Sequence, residues 1–264
     1  MEFFTVFLTS LLSLISPAGI VVDRAATKAI RSQFTQVKQL EVRVDNVPSY
    51  QLLQGKLGRV RIAGRGLRLK RQDIRLAVLE VETDGIDFNL RRGRLKLRSP
   101  VNAGVHLVLH EQDVNQALAT PELVARLRRV KISSFGGLDN STQKYYLIHP
   151  QVAFLTTNRL RLQVELGQDS NVRPLLIVLE SGIGVNDERL QLIEPVVWVN
   201  GQAVPPQFVK AFAHNLNQKL NFDNLASSGL LARVLKLNIR QHELDVAVFF
   251  RVEPTAKFQE TYRP

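Results

Sequence analysis

Arg59-Val60-Arg61-Ile62-Ala63-Gly64-Arg65-Gly66-Leu67-Arg68-Leu69-Lys70 alternates basic and apolar side chains on either side of a small-residue interruption. A period of two marks a strand with one buried face and one wet face, whereas a helix would space its apolar residues by three and four. Arg94-Leu95-Lys96-Leu97-Arg98 repeats the pattern. Gly64 and Gly66 inside the first run predict a bulge or sharp bend, so the sheet is expected to curve.

Charge follows the same pattern. From Lys56 to Arg98 there are thirteen Lys/Arg and five Asp/Glu, so this stretch carries +8 of the chain's formal +11. A sheet with one cationic face implies an anionic partner or a solubilising surface. A nucleic-acid platform interleaves aromatic side chains for base stacking, but here the sole aromatic is Phe88, in the inward series Ile86-Phe88-Leu90. A lipid surface needs only cations near headgroups and apolar area for chains. Asp73–Thr83, Leu175–Leu179 and Val196–Val199 are more apolar than a sheet with one buried face requires. Either helices cover the second face or the surplus lines an acyl groove; composition leaves both open.

The chain has 264 residues, 45% hydrophobic and 22% charged, ordinary values for a folded protein with a real core. It has no cysteine, which excludes disulfides, thiolate zinc sites and thiol nucleophiles. His106 and His110 are four apart on a strand-like run, about 13 Å by strand rise, too far to share an ion. No nucleophile elbow, phosphate loop or zinc-protease helix is present, and the carboxylates are scattered singly. The expectation is a non-enzymatic protein with no catalytic residue, metal site or cofactor.

Residues 1–22 differ from the rest. Phe3, Phe4, Phe7, Leu8, Leu11, Leu12, Leu14 and Ile15 surround any helix they form, and no charge falls between Phe3 and Val22. Three readings stand: an uncleaved membrane-associated segment, a secretory signal with small residues Ser16 and Ala18 near its end, and a buried helix. A single domain is expected over residues 23–253, with a tail at 254–264.

Along that domain, Ala25, Ala26, Ala29, Ile30, Phe34 and Val37 predict an amphipathic helix of about four turns from Arg24 to Val37. Strands follow over Leu40–Val44, the basic segment, Asp73–Thr83 and Ile86–Leu90. Val105–Leu109 runs into a short acidic helix at Glu111–Leu118, and Pro121–Val130 offers another. Ser133–Thr142 reads as a loop. The second half follows the same plan, with strands at Leu160–Leu166, Leu175–Leu179, Leu190–Leu192 and Val196–Val199 and an Asn200-Gly201 turn. A helix from Pro205-Pro206 to Leu220 and a closing hairpin turning near Gln241–Glu243 complete it. Hairpin-joined strands with segregated helices argue for an α+β fold built on antiparallel sheet.

VRVDNVPSYQLLQGK at Val42–Lys56, VRIAGRGL at Val60–Leu67, LEVETDGIDFNL at Leu79–Leu90 and LHEQDVNQAL at Leu109–Leu118 together resemble the LmeA-like phospholipid-binding family, its cyanobacterial branch in particular. The resemblance implies a domain similar to half of a bactericidal/permeability-increasing protein, a tubular lipid-binding architecture. In it a long, strongly curved antiparallel sheet wraps amphipathic helices and leaves an apolar groove. The helices at Arg24–Val37 and Gln207–Leu220 would fill the wrap, making Ile30, Phe34, Phe208 and Phe212 the groove-lining candidates. Arg59, Arg61, Arg65, Arg68, Lys70, Arg94, Lys96 and Arg98 are the candidates for headgroup contact. The expected partners are a phospholipid or other anionic lipid and a membrane surface, not nucleic acid. The expected location is membrane-associated in the cell envelope, with the periplasmic side and the thylakoid or inner membrane both open. A scaffold protein of the envelope without a groove, and a nucleic-acid binder, are the alternatives.

Overall fold

A computed structural model describes residues 27–45 apart from 29, then 54–70, 73–91, 94–127, 145–168, 173–186, 189–219 and 229–255. Two compact units result. The first comprises residues 1–108, 221–236 and 245–264, and the second 109–220 and 237–244.

In the first unit, a six-stranded sheet has the order β1-β3-β4-β7-β14-β13. Its strands are β1 (Phe34–Val44), β3 (Val60–Leu69), β4 (Arg75–Thr83), β7 (Val101–His110), β13 (Leu230–Arg240) and β14 (Glu243–Val252). A separate three-stranded sheet joins β2 (Lys56–Leu57), β5 (Ile86–Arg91) and β6 (Arg94–Leu97). One face of the large sheet is core: Leu67, Leu76, Leu79 and Phe250 are wholly buried, with Ile62, Val81, Val105 and Leu107 nearly so. Each such side chain contributes roughly 1.5–3 kcal/mol on burial.

The inward parity of this sheet changes along one line. Val42, Ile62 and Val81 are register partners, as are Leu40, Gly64 and Leu79. The next inward register is half-buried Val37 with buried Leu67 and Leu76, three residues further along each strand rather than two. Gly66 makes the switch on β3 with φ +59, which costs glycine little and other residues about 1–2 kcal/mol. Gly64 is needed for a different reason: an added Cβ would lie 2.3 Å from Leu67 Cδ1, so Leu67 folds down over it. The two glycines thus mark a crease, a change of inward face across three strands, and the β3–β4 pairing runs through it with no bulge of the kind the sequence predicts.

The expected Arg24–Val37 helix is corrected here. Ile30 and Arg31 are helical, but the helix ends at a turn over Ser32 and Gln33, and Phe34 begins β1. Phe34 pairs with Leu69 and Val37 with Leu67. The ladder with β3 outweighs a 3.6-residue spacing that Thr35 and Val37 support only weakly as β-branched residues.

The second unit carries the sheet β12-β11-β10-β9-β8, formed by β8 (Tyr145–Phe154), β9 (Arg159–Gln168), β10 (Leu175–Asn186), β11 (Arg189–Val199) and β12 (Gln202–Ala203). Asn200 and Gly201 link the last two at φ 49 and 82, the positive values that a tight two-residue hairpin requires. Helix α3 (Pro206–Lys219) places Val209 in a core with Leu166, Ile177, Leu179 and Val197. Helices α1 (Glu111–Leu118) and α2 (Pro121–Leu127) follow β7. On α1, Glu111 and Asn115 share a face and serve as surrogate strand partners for β8. Phe154 N donates to Glu111 Oε2 at 2.6 Å, and Val152 exchanges two 2.8 Å bonds with the Asn115 amide. The acidic helix in the LHEQDVNQAL stretch is therefore explained by anchorage.

Candidate functional site

The eight expected headgroup cations lie on two different sheets. Arg59, Arg61, Arg65, Arg68 and Lys70 lie on or beside β3; Arg94, Lys96 and Arg98 lie on or beside β6. The expected single cationic face is divided accordingly. Four of the eight are committed to carboxylates: Arg59 to Glu82 at 2.8 Å, Arg61 to Asp45 at 3.1 Å, Arg68 to Asp73 at 3.1 Å and Arg98 to Asp87 at 3.3 Å. Arg98 also donates to the Gln54 carbonyl at 2.9 Å. Arg65, Lys70 and Lys96 are exposed and form no ion pair with a described residue. The Arg94 side chain lies outside the described residues.

On the wet face of the six-stranded sheet, a groove of about 490 Å³ crosses β1, β3, β4, β7, β14 and β13. Ala63, Gly104 and Ala247 keep its floor low, and a Cβ added at Gly104 would meet nothing within 4 Å. Glu41, Arg43, Arg61, Glu80, Glu82 and His106 line it, and Leu235, 60% exposed, adds an apolar contact. The walls are charged but mutually satisfied, since Arg43 lies 3.7 Å from Glu41 and Arg61 3.8 Å from Glu82.

At the middle of the groove, His106 is held from both sides. Its Nδ1 lies 3.0 Å from Glu80 Oε2 and its Nε2 2.9 Å from Asp245 Oδ1. Burial alone would lower the imidazole pKa, but the hydrogen bonds to Glu80 and Asp245, with their charges, outweigh it and raise the pKa above 6.5. An imidazolium donates from both nitrogens, so it fits two acceptors where the neutral ring fits one. The carboxylates face opposite ring nitrogens and do not converge on one ion. Among the described residues no cluster of three or more His, Cys, Asp or Glu is placed to hold a metal. Sequence spacing could not show this triad, because its members are 26 and 139 residues apart.

Of the groove-lining candidates, Ile30 and Phe34 are buried at 2% and 7% exposure, in the first unit. Phe208 is 37% exposed at the start of α3, in the second unit, and the Phe212 side chain lies outside the described residues. Phe3, Phe4, Phe7, Leu8, Leu11, Leu12, Leu14 and Ile15 likewise lie outside them, as does the expected loop at Ser133–Thr142. Among the described residues no helix is long and apolar enough to cross a membrane.

The sequence matches the LmeA-like phospholipid-binding family over residues 15–249, and the chain belongs to that family. No curated protein and no solved structure gives a significant match.

Proposed function

We propose that this chain is a non-enzymatic phospholipid-binding protein that works at a membrane of the cell envelope. Family membership over residues 15–249 is the observation that carries the reading. In this reading the headgroup contacts come from the basic strands. Arg65, Lys70 and Lys96 are immediately available because no described carboxylate holds them, and Arg94 is a further candidate by its place in the sequence. Arg59, Arg61, Arg68 and Arg98 must exchange a carboxylate for a phosphate to take part. Each Lys or Arg brought near an anionic surface contributes about 1 kcal/mol.

Acyl chains are assigned to apolar side chains, with Ile30, Phe34, Phe208 and Phe212 as candidates. For Ile30 and Phe34 this requires the packed core to open, since both are buried. A tubular lipid-binding architecture, and attachment or routing to the bilayer by residues 1–22, complete the proposal. Native mass spectrometry of the full chain is the test, with a co-purifying phospholipid as the expected result. Lipid-free protein that takes up nothing from anionic vesicles overturns the reading.

A further inference from the structure

In the second unit, the sheet face turned away from the Ile177, Leu179, Val197 and Val209 core carries apolar side chains along an edge. Strand β12 pairs only with Trp198 and Val199, so β11 up to Val196 is an edge among the described residues. Register sets Trp198 opposite Val178, Val196 opposite Glu180 and Ile193 opposite Gly182. Glu194 and Pro195 therefore face the one residue Ser181, which makes a β-bulge. Simple alternation would send Ile193 and Val196, three residues apart, to opposite faces. The bulge turns both outward beside Trp198. Glu194 adopts φ 45 within it. The wholly buried Ser181 hydroxyl, 2.8 Å from the Gly182 carbonyl and 3.0 Å from that of Ile193, donates to the pair. Ile193 lies over two glycines: a Cβ at Gly184 would be 2.5 Å from its Cδ1, and one at Gly182 3.2 Å from its Cβ. Even so, Ile193 is 49% exposed and Val196 38%.

We propose that Ile193, Val196 and Trp198 form the patch by which this chain enters the headgroup layer of a zwitterionic phospholipid bilayer. Pro195 and the bulge are devices that stop strand addition at a sheet edge, which counts against a peptide or a second copy extending the sheet here. From the Val178–Trp198 pair to the Gly182–Ile193 pair the strip is roughly 13 Å long and about 10 Å wide. That is a small fraction of the roughly 800 Å² per partner that a stable dimer needs. The border holds both signs in balance: Arg159 and Arg161 flank Glu180 at 3.4 and 2.9 Å, and Glu194 is exposed on the bulge. A zwitterionic headgroup layer offers both signs in return. Tryptophan is favoured in that layer because its ring is apolar and its N–H is a donor. The patch rests on the phospholipid reading and adds a second surface to it. Contact through the basic strands is electrostatic and screened by salt, whereas contact through this patch is apolar and is not.

Trp198 is the chain's sole tryptophan, so the unaltered full chain reports on the patch. Phosphatidylcholine vesicles with brominated acyl chains should quench its emission, and raising the salt tenfold should change the quenching by less than about twofold. The double variant I193S/V196S should bind phosphatidylcholine vesicles roughly tenfold more weakly. Val185→Ser, at a residue exposed on the other face of β10, should weaken binding less than about twofold. Equal losses from the two variants overturn the patch. Co-sedimentation with vesicles while bromine leaves Trp198 unquenched also overturns it, and leaves the phospholipid reading standing. Quenching in a protein that neither co-purifies with lipid nor takes any up keeps the patch and overturns that reading. A dimer in sedimentation velocity that I193S/V196S dissociates, without quenching, makes the patch a self-contact and overturns the proposal. The quenching is read on the unaltered chain, so poor folding of the double variant leaves the test intact.

Discussion

The two ends of the wet face of the six-stranded sheet handle the same residue types in opposite ways. Along the groove, basic side chains alternate with acids from neighbouring strands: Arg43 with Glu41, Arg59 with Glu82, Arg61 with Asp45, and His106 between Glu80 and Asp245. Past the crease, Lys38, Arg65 and Lys70 have no such partner among described residues, whereas Arg68 alone of the β3 cations there is held, by Asp73 at 3.1 Å. A basic side chain adds one to the charge count in either region, yet the two regions differ in availability. A paired arginine must leave a carboxylate before it can hold a phosphate, whereas an unpaired one surrenders only water. Charge counted along a sequence therefore overstates the binding surface, and strand register decides which part of the count is usable.

The largest effect that breaks this comparison lies in the backbone. Gly66→Val forces a β-branched residue to φ +59 and places its Cβ 3.0 Å from Lys38 Cβ, which should destabilise the protein by about 2–3 kcal/mol. Gly104→Val, in the paired region, meets no atom within 4 Å and should change stability by less than about 1 kcal/mol, with a gain as the favoured sign. Urea unfolding of the two variants tests the contrast, and similar midpoints would mean that the crease does not depend on Gly66.

A smaller effect sharpens the same comparison at single charges. Arg65→Gln and Arg59→Gln each lower the net charge by one, so any difference between them reports local contact. At about 0.15 M salt, where screening acts over roughly 8 Å, Arg65→Gln should weaken association with anionic vesicles about fivefold. Arg59→Gln should weaken it about twofold or less, because its loss frees Glu82 to take Arg61, already 3.8 Å away. Co-sedimentation measures both, and a larger loss from Arg59→Gln would reverse the assignment of the two regions.

Much of the fold was legible because local chemistry and tertiary structure agree. Asn200-Gly201 fits a tight hairpin and occurs in one, and the alternation in RVRIAGRGLRLK is that of β3. The two glycines of the crease announced a bend, though not that Leu40/Val37 and Leu79/Leu76 would switch faces with them. The helix expected to reach Val37 failed where a non-local ladder competed with a weak local preference, since Phe34 and Val37 gain partners 35 and 30 residues away at Leu69 and Leu67. The candidate site was less legible. Cations could be counted, but Arg59–Glu82 and Arg61–Asp45 are set by register across 23 and 16 residues.

The smallest expected effect concerns His106, whose charge helps to keep the paired region paired. Its pKa in the folded protein is raised above the ordinary value near 6.5 because Glu80 and Asp245 outweigh the cost of burial. A group whose pKa is raised on folding stabilises the protein fully below its unfolded pKa, and that contribution fades as the pH climbs through the folded value. The contribution is therefore complete in mild acid below about pH 6.5 and is lost as the pH rises above it. Lys236 lies 3.7 Å from Asp245 and partly compensates that carboxylate beside the imidazole. The ring is partly exposed, so solvent screening keeps the effect modest. In His106→Gln, the melting-temperature deficit relative to the unaltered protein should be larger at pH 5.5 than at pH 9. A deficit independent of pH would mean that the side chain acts there by packing alone, and that the groove's charge pairing does not depend on its proton.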